Sequence, residues 1–263
     1  MKSTLDQIQD IKNHGYTLDF SNVFNHAFEN YKKIALYAGL ILLVFSILFG
    51  IIVYSILIAL FGIEKLSTGV FFNIQPQNLS PLHLFYYVGG MVLFSGLFSP
   101  FGAGFLKMAD CAEKDQEFNV STIFTYYKTH HFLQIFTATC IVSLFSAVIT
   151  TFLEIQKLSN LGLIISLAIS YFTFLMIPLI VFGNLKAIDA IKSSFIIISK
   201  QPIVLLSLMA SIVVALIVGL LGCCIGIIFT MPFSYSMAYA IYNNILNIKN
   251  EDPIDSIGRS DYE

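Results

Sequence analysis

The sequence predicts an all-α integral membrane protein, a six-helix bundle with amphipathic helices at one membrane surface and a threefold internal repeat. Three observations predict it. Of 263 residues, 57% are hydrophobic and only 11% charged, with a mean hydropathy of +0.80. A soluble domain carries about 25% charged residues, so this chain has too little charge to cover a water-facing surface. Second, Asp, Glu, Lys, Arg and His are absent from Ile34–Ile63, Leu84–Leu106, Phe132–Leu153, Leu158–Leu185 and Ile203–Ile248. Third, these runs are continuously apolar, whereas a membrane β-barrel needs alternation along each strand. A net charge of −2 excludes a strongly basic nucleic-acid binder. Four cysteines, three of them in apolar runs, exclude a secreted disulfide scaffold.

The elements follow in order. Residues 1–17 read as an N-terminal tail. Over about 18–33, Phe20, Val23, Phe24, Ala27, Phe28 and Tyr31 recur at helical spacing and end at Lys32-Lys33, which makes an interfacial helix. The first span covers about 34–61. Gly62 to His83, with Pro76 and Pro81, reads as an exposed external loop. The second span runs over about 83–109. A second stripe (Val120, Ile123, Phe124, Tyr127) fills about 119–129 and ends at Lys128 and His130-His131. Spans three and four occupy about 131–154 and 160–184. A third stripe (Ile188, Ile191, Phe195, Ile198) fills about 186–200 and ends at Lys200. A helix crosses the hydrocarbon core in about 20 residues, so the last apolar run must hold two spans. Gly219, Gly222 and Gly226 mark the hairpin between them, giving spans of about 202–221 and 224–246. Residues 249–263 form a second tail.

Charge sets the orientation. Twelve of the fourteen Lys and Arg residues lie before span one, between spans two and three, between four and five, or after six. Lys65 and Lys157 alone lie on the opposite side. The positive-inside rule then puts both termini in the cytoplasm. The first apolar run starts only at Ile34 and is about twice a signal-peptide core in length, so no cleavage is expected. Thirteen Lys to one Arg, with frequent Ile, Phe and Asn, fits an A+T-rich bacterial genome and therefore an inner-membrane location.

The repeat unit is an interfacial helix, an outward span and a returning span with a proline. The prolines are Pro100, Pro178 and Pro232, each a candidate helix kink because proline removes a backbone hydrogen bond. Equivalent breaks in successive units are the mark of repeated membrane architecture.

The stretches GAGFLKMADCAEKDQEFNVSTIF, FLMIPLIVFGNLKAIDAIKSSFIIISKQPIVLL and GIIFTMPFSYSMAYAIYNNI carry a resemblance. The chain resembles the membrane region attached to some bacterial glycerophosphodiester phosphodiesterases, and the related six-span bacterial membrane proteins of unknown function. With the N-terminal stripe, the likeness covers Leu18 to Ile248. It implies the six-helix fold and supplies no activity, since the phosphodiesterase catalytic domain is a separate soluble barrel.

No GxSxG, HExxH, Walker or dinucleotide fingerprint is present, so no enzyme, cofactor or metal is expected. His130-His131 lack nearby ligands at zinc spacing and read as a basic anchor. Cys223-Cys224 read as small apolar residues. Lys107, Asp110, Glu113 and Lys114 read as a solvated, self-paired surface at the end of span two. Gly89-Gly90 and Gly102-Ala103-Gly104 read as places where helices approach closely. Inside the spans the polar groups are hydroxyls and amides such as Ser95, Ser143, Thr150, Ser170, Thr173, Ser207, Thr230, Ser234 and Asn243-Asn244. Hydroxyls of this kind commonly bond back to their own helix.

Intramembrane charge is the usual mark of coupled transport, and it is missing. The expected function is therefore a non-catalytic membrane protein that organises lipid or a membrane-protein partner. Its expected contacts are Lys32, Lys33, Lys128, His130, His131 and Lys200 at the depth of lipid phosphates. The alternative is a transporter or flippase of an apolar or amphipathic solute. The two-span units are similar to the mitochondrial carrier plan, but the prolines here lie on the even spans, and the charged residues that follow them in carriers are missing.

Overall fold

The computed structural model describes residues 3–63, 76, 79–222 and 225–246. Among them there is no strand. The helices are α1 (Thr4–His14), α2 (Phe20–Phe61), α3 (Pro81–Glu113), α4 (Val120–Ile123), α5 (His131–Ile155), α6 (Ser159–Phe172), α7 (Met176–Val181), α8 (Ala187–Lys200), α9 (Pro202–Leu221) and α10 (Ile225–Leu246), with a 3₁₀ turn over Thr125–Tyr127. Six segments are long and apolar enough to cross a membrane: α2, α3, α5, α6 with α7, α9 and α10. Large apolar side chains such as Leu36, Ile47, Phe85, Leu133, Leu163 and Val214 are exposed along them. That surface suits lipid and would be an aggregation patch in water. The protein is a multi-pass membrane bundle.

Local chemistry fixes the helix ends. Ser3 and Asp6 form a reciprocal capping box on α1. The Asp19 carboxylate accepts from Asn22 N at 2.8 Å to start α2. Pro81 and Pro202 stand in the first turns of α3 and α9, where a missing N–H costs nothing. Asn119 and Thr122 cap α4 reciprocally. Gly15 and Gly62, at φ 75° and 79°, take backbone conformations after α1 and α2 that side-chain-bearing residues resist.

The charged end of the bundle holds α1, α4, α8 and the last turns of α3. The opposite end, here the far end, carries Gly62, Pro81 and the α5–α6 turn. Half of the most apolar stretch of α10 is buried, against 6% for α2, so α10 is the central helix. It packs on α2, α3, α7 and α9. At the far end α9 and α10 meet backbone to backbone, because Gly219 and Gly226 carry no side chain to hold them apart. At Gly104 the α3 backbone touches that of Ile123. Gly89 and Gly90, by contrast, face open space, so the expected close approach there is absent. Their sequence motif carried no information about which face of α3 would be covered.

The three stripes take three forms. The first is continuous with its span, as α2 runs unbroken from Phe20 to Phe61. The second is broken into α4 and the 3₁₀ turn, and the third is the separate helix α8. The N-terminal segment is more than a tail. Ile8 and Ile11 of α1 are buried in the main core, and α1 packs on α8. Tyr16 Oη donates to Ile197 O at 3.0 Å, and Gln201 Nε2 donates to Tyr16 O at 2.8 Å. Burial pushes the Tyr16 phenol well above the ordinary tyrosine range, with Tyr171 adding to the rise, so it remains a donor. The second tail, Cys223-Cys224, and most of the loop after Gly62 lie outside the described residues.

Each proline meets a hydroxyl from the stripe of the following unit, and the third stripe is followed cyclically by the first. Tyr127 Oη donates to Leu97 O, three residues before Pro100, at 2.7 Å. Tyr31 Oη donates to Phe229 O, three residues before Pro232, at 3.1 Å. Ser194 Oγ donates to Phe172 O at 2.7 Å and accepts from Leu175 N at 3.2 Å, which fills the break between α6 and α7 just ahead of Pro178. Pro100 and Pro232 lie inside α3 and α10, whereas the fourth span is interrupted a turn before Pro178. In all three cases a foreign hydroxyl serves main-chain groups near the proline, as an apolar setting requires.

Candidate functional site

The basic rim comes first. Lys32 Nζ lies 2.6 Å from Glu29 and 5.5 Å from the centre of the Phe28 ring. Lys33 donates to Ala112 O at 2.9 Å and to Asp115 at 2.7 Å. Lys128 and His130 are exposed, and Lys200 is exposed at the last residue of α8. The His130 and His131 rings stand 3.9 Å apart. His131 Nε2 bonds Asn184 Oδ1 at 2.9 Å, while its Nδ1 is buried without a hydrogen-bond partner. The fold therefore gathers the histidine pair against Asn184 and ties Lys33 to the end of α3. It leaves Lys32, Lys128 and Lys200 on three separate stripes.

Beneath the rim lies a polar cluster where the sequence reading expected a solvated surface. Asp110 is indeed self-paired, with Lys107 at 2.6 Å and Lys114 at 2.7 Å. It is only 3% exposed, however, because α10 covers it and Tyr239 Oη reaches it at 3.4 Å. Glu113 meets His26 Nε2 at 3.1 Å and accepts from Asn30 Nδ2 at 3.3 Å. Asn30, 1% exposed, also donates to Ala109 O at 2.8 Å and accepts from Ser236 Oγ at 3.0 Å. Asn244 closes the cluster by donating to Ala240 O and lying 2.9 Å from His26 Nδ1. These bonds join α2, α3 and α10. They satisfy buried groups that would otherwise carry a full desolvation cost. Asn30 and Ser236 were missed by sequence reasoning, although Asn30 left a signal. Val23, Ala27, Asn30, Ile34, Ala38 and Ile41 form one buried stripe, and Asn30 is its only polar member.

Apolar grooves open between neighbouring spans. One of about 350 Å³ lies between α3 and α5, which belong to different units, with no stripe in its lining. Three others each lie within one unit. The first, of about 340 Å³, lies between α2 (Leu42, Phe45), α3 (Phe98, Phe101) and Phe124 of the second stripe. Another, of about 400 Å³, lies between α5 (Ile141, Phe145), α6 (Ala168, Ile169) and Phe195 of the third stripe. The last, of about 380 Å³, lies between α9 (Val214, Ala215), α10 (Thr230, Phe233) and Phe28 of the first stripe. Each of these three is thus formed by the two spans of one unit and closed by the stripe of the next. Phe28, Phe124 and Phe195 hold corresponding places in the stripes, three before Tyr31, Tyr127 and Ile198 respectively. Comparison with protein-family models, with curated proteins and with solved structures found no match.

The hydroxyls of the spans divide into two groups. Ser207, Ser234, Thr173 and Thr230 donate to carbonyls of their own helices. Ser95 and Thr150 do so as well, yet with Ser143 and Ser170 they also line a single cavity between α3, α5 and α6.

Proposed function

We propose that this protein is a non-catalytic organiser of anionic lipids in the bacterial inner membrane, with both termini in the cytoplasm. The observation that carries the reading is the groove that recurs once per unit, closed each time by an aromatic stripe that ends in basic residues. An acyl chain laid in a groove would bury apolar surface at about 25 cal/mol per Å². Its phosphate would sit at the level of Lys32, Lys128 or Lys200, each worth about 1 kcal/mol near an anionic surface. The Lys32–Glu29 pair is half-exposed or more on both sides and therefore weak, so a phosphate can replace the carboxylate. Lys33, His130 and His131 would widen the same rim. An acidic partner protein docked on the rim belongs to the same proposal, as does kinship with the membrane region of glycerophosphodiester phosphodiesterases. The orientation rests on the twelve-to-two division of basic residues.

The test is native mass spectrometry of the protein purified in mild detergent. Wild type should retain up to three anionic phospholipids, and the triple variant Lys32→Gln, Lys128→Gln, Lys200→Gln should lose them while keeping its melting temperature. Equal retention by both proteins would remove the basis for the reading. A second reading, transport of an amphipathic solute, is favoured by one feature only, the hydroxyl-lined cavity.

A further inference from the structure

We propose that the cavity between α3, α5 and α6 is a binding site for a small amphipathic organic ammonium ion, entered from the far end of the bundle. The cavity measures about 420 Å³, within the range of about 300–1,000 Å³ typical of small-molecule sites. It breaks the threefold pattern. The grooves recur because the architecture recurs, whereas none of the grooves described above has a comparable hydroxyl lining. On α5, Thr139, Ser143, Ser146, Thr150 and Glu154 follow one another at spacings of three or four, forming a polar stripe along an otherwise apolar span. Ser95 comes from α3, with Ser166 and Ser170 from α6.

The depth is set by the helix. Ser143 lies about 16 Å below Glu154 at a rise of 1.5 Å per residue, so the cavity runs from the far surface into the hydrocarbon layer. Glu154, next to the last residue of α5, lines its far end. One turn beyond Ser143, Thr139 Oγ1 donates to Ser99 Oγ at 2.7 Å and joins α5 to α3.

The lining selects the ligand. Ser95, Thr150 and Ser166 spend their protons on the carbonyls of Met91, Ser146 and Leu163. What they present to the cavity is therefore lone pairs. Among the described residues, Glu154 is the one charged side chain in the lining, with no Lys, Arg or His beside it. Ser143, Ser146, Thr151 and Ser170 can donate or accept, so the Glu154 carboxylate sets the preference, which is for a cationic hydrogen-bond donor over an anion. Val88, Met91, Val142 and Ile169 supply apolar wall for a short hydrocarbon body. A primary ammonium on such a body answers every part of that description.

The probes are n-butylammonium, n-butanol and n-butyrate, titrated calorimetrically into the full chain in detergent micelles. Wild type should bind butylammonium saturably, butanol more weakly and butyrate not at all. Glu154→Gln should weaken butylammonium binding at least tenfold and leave butanol binding unchanged. Ser170→Phe, which fills the cavity from α6, should abolish both. The proposal is overturned if butyrate binds as tightly as butylammonium, if wild type binds no butylammonium, or if Glu154→Gln keeps wild-type affinity. The comparison of probes on wild type needs no variant to fold.

Discussion

At the scale of single residues, the decisive group is Asp110. A carboxylate beneath α10, held by Lys107 and Lys114, stabilises the bundle because both lysines reach it at hydrogen-bonding distance. Removing one partner of a buried ion pair typically costs about 3–5 kcal/mol. The lysine side chains are about a third exposed and can turn to water, so Asp110→Ala should cost nearer 2–3 kcal/mol. Asp115 pairs with Lys33 through a side chain that is 84% exposed, and Asp115→Asn should change stability by less than about 0.5 kcal/mol. Thermal unfolding of the two variants in one detergent checks the contrast. Equal effects would mean that the Asp110 cluster contributes no more than a surface pair. The charges of this cluster were visible in the sequence, but their burial was not. Spacing on α3 pairs Lys107 with Asp110, whereas only the approach of α10, more than a hundred residues later, covers them. Asn30 was the more legible member, since a lone amide in a buried helical stripe must find partners.

At the scale of elements, the link between each proline and the next stripe explains why the stripes could differ in form and still serve one role. The stripe need only place a hydroxyl beside the interrupted span, and α2, the 3₁₀ turn and α8 each do so. Tyr31→Phe and Tyr127→Phe should each lower stability by about 1 kcal/mol, the net worth of a hydrogen bond. Ser194→Ala should cost more, about 1–3 kcal/mol, because its hydroxyl serves two backbone groups in the break between α6 and α7. The three sites lie in different units, so their effects should add within about 0.5 kcal/mol. Denaturation of the three single variants and of the triple variant measures both claims, and strong non-additivity would show that the units are energetically one. The spans themselves were legible from runs without charge. The continuity of α2 was not, because nothing at Lys32-Lys33 distinguishes a helix that bends onto the membrane surface from one that runs straight through it. The fourth span reads as unbroken in hydropathy, and its interruption depends on the insertion of Ser194 from α8.

At the scale of the whole molecule, the repeat becomes a statement about surfaces. Cyclic packing of each stripe on the preceding unit gives three grooves of similar volume, and similar sites should fill and empty independently. Ser46, Ala168 and Ala215 are small residues that each line one groove. Replacing any one of them by Phe puts an aromatic ring where an acyl chain would lie. The substitution adds no volume to a packed core, since these walls open laterally, so the usual overpacking cost of about 1–3 kcal/mol should be largely avoided. Each single variant should then lose one retained phospholipid in native mass spectrometry, and the triple variant should lose three. The charge-neutralised rim should give the same final state by a different route, because headgroup and acyl chain belong to one ligand. The two sets of variants therefore check each other. If filling all three grooves leaves lipid retention unchanged while neutralising the rim abolishes it, the rim binds headgroups without the grooves. The threefold architecture would then serve packing alone.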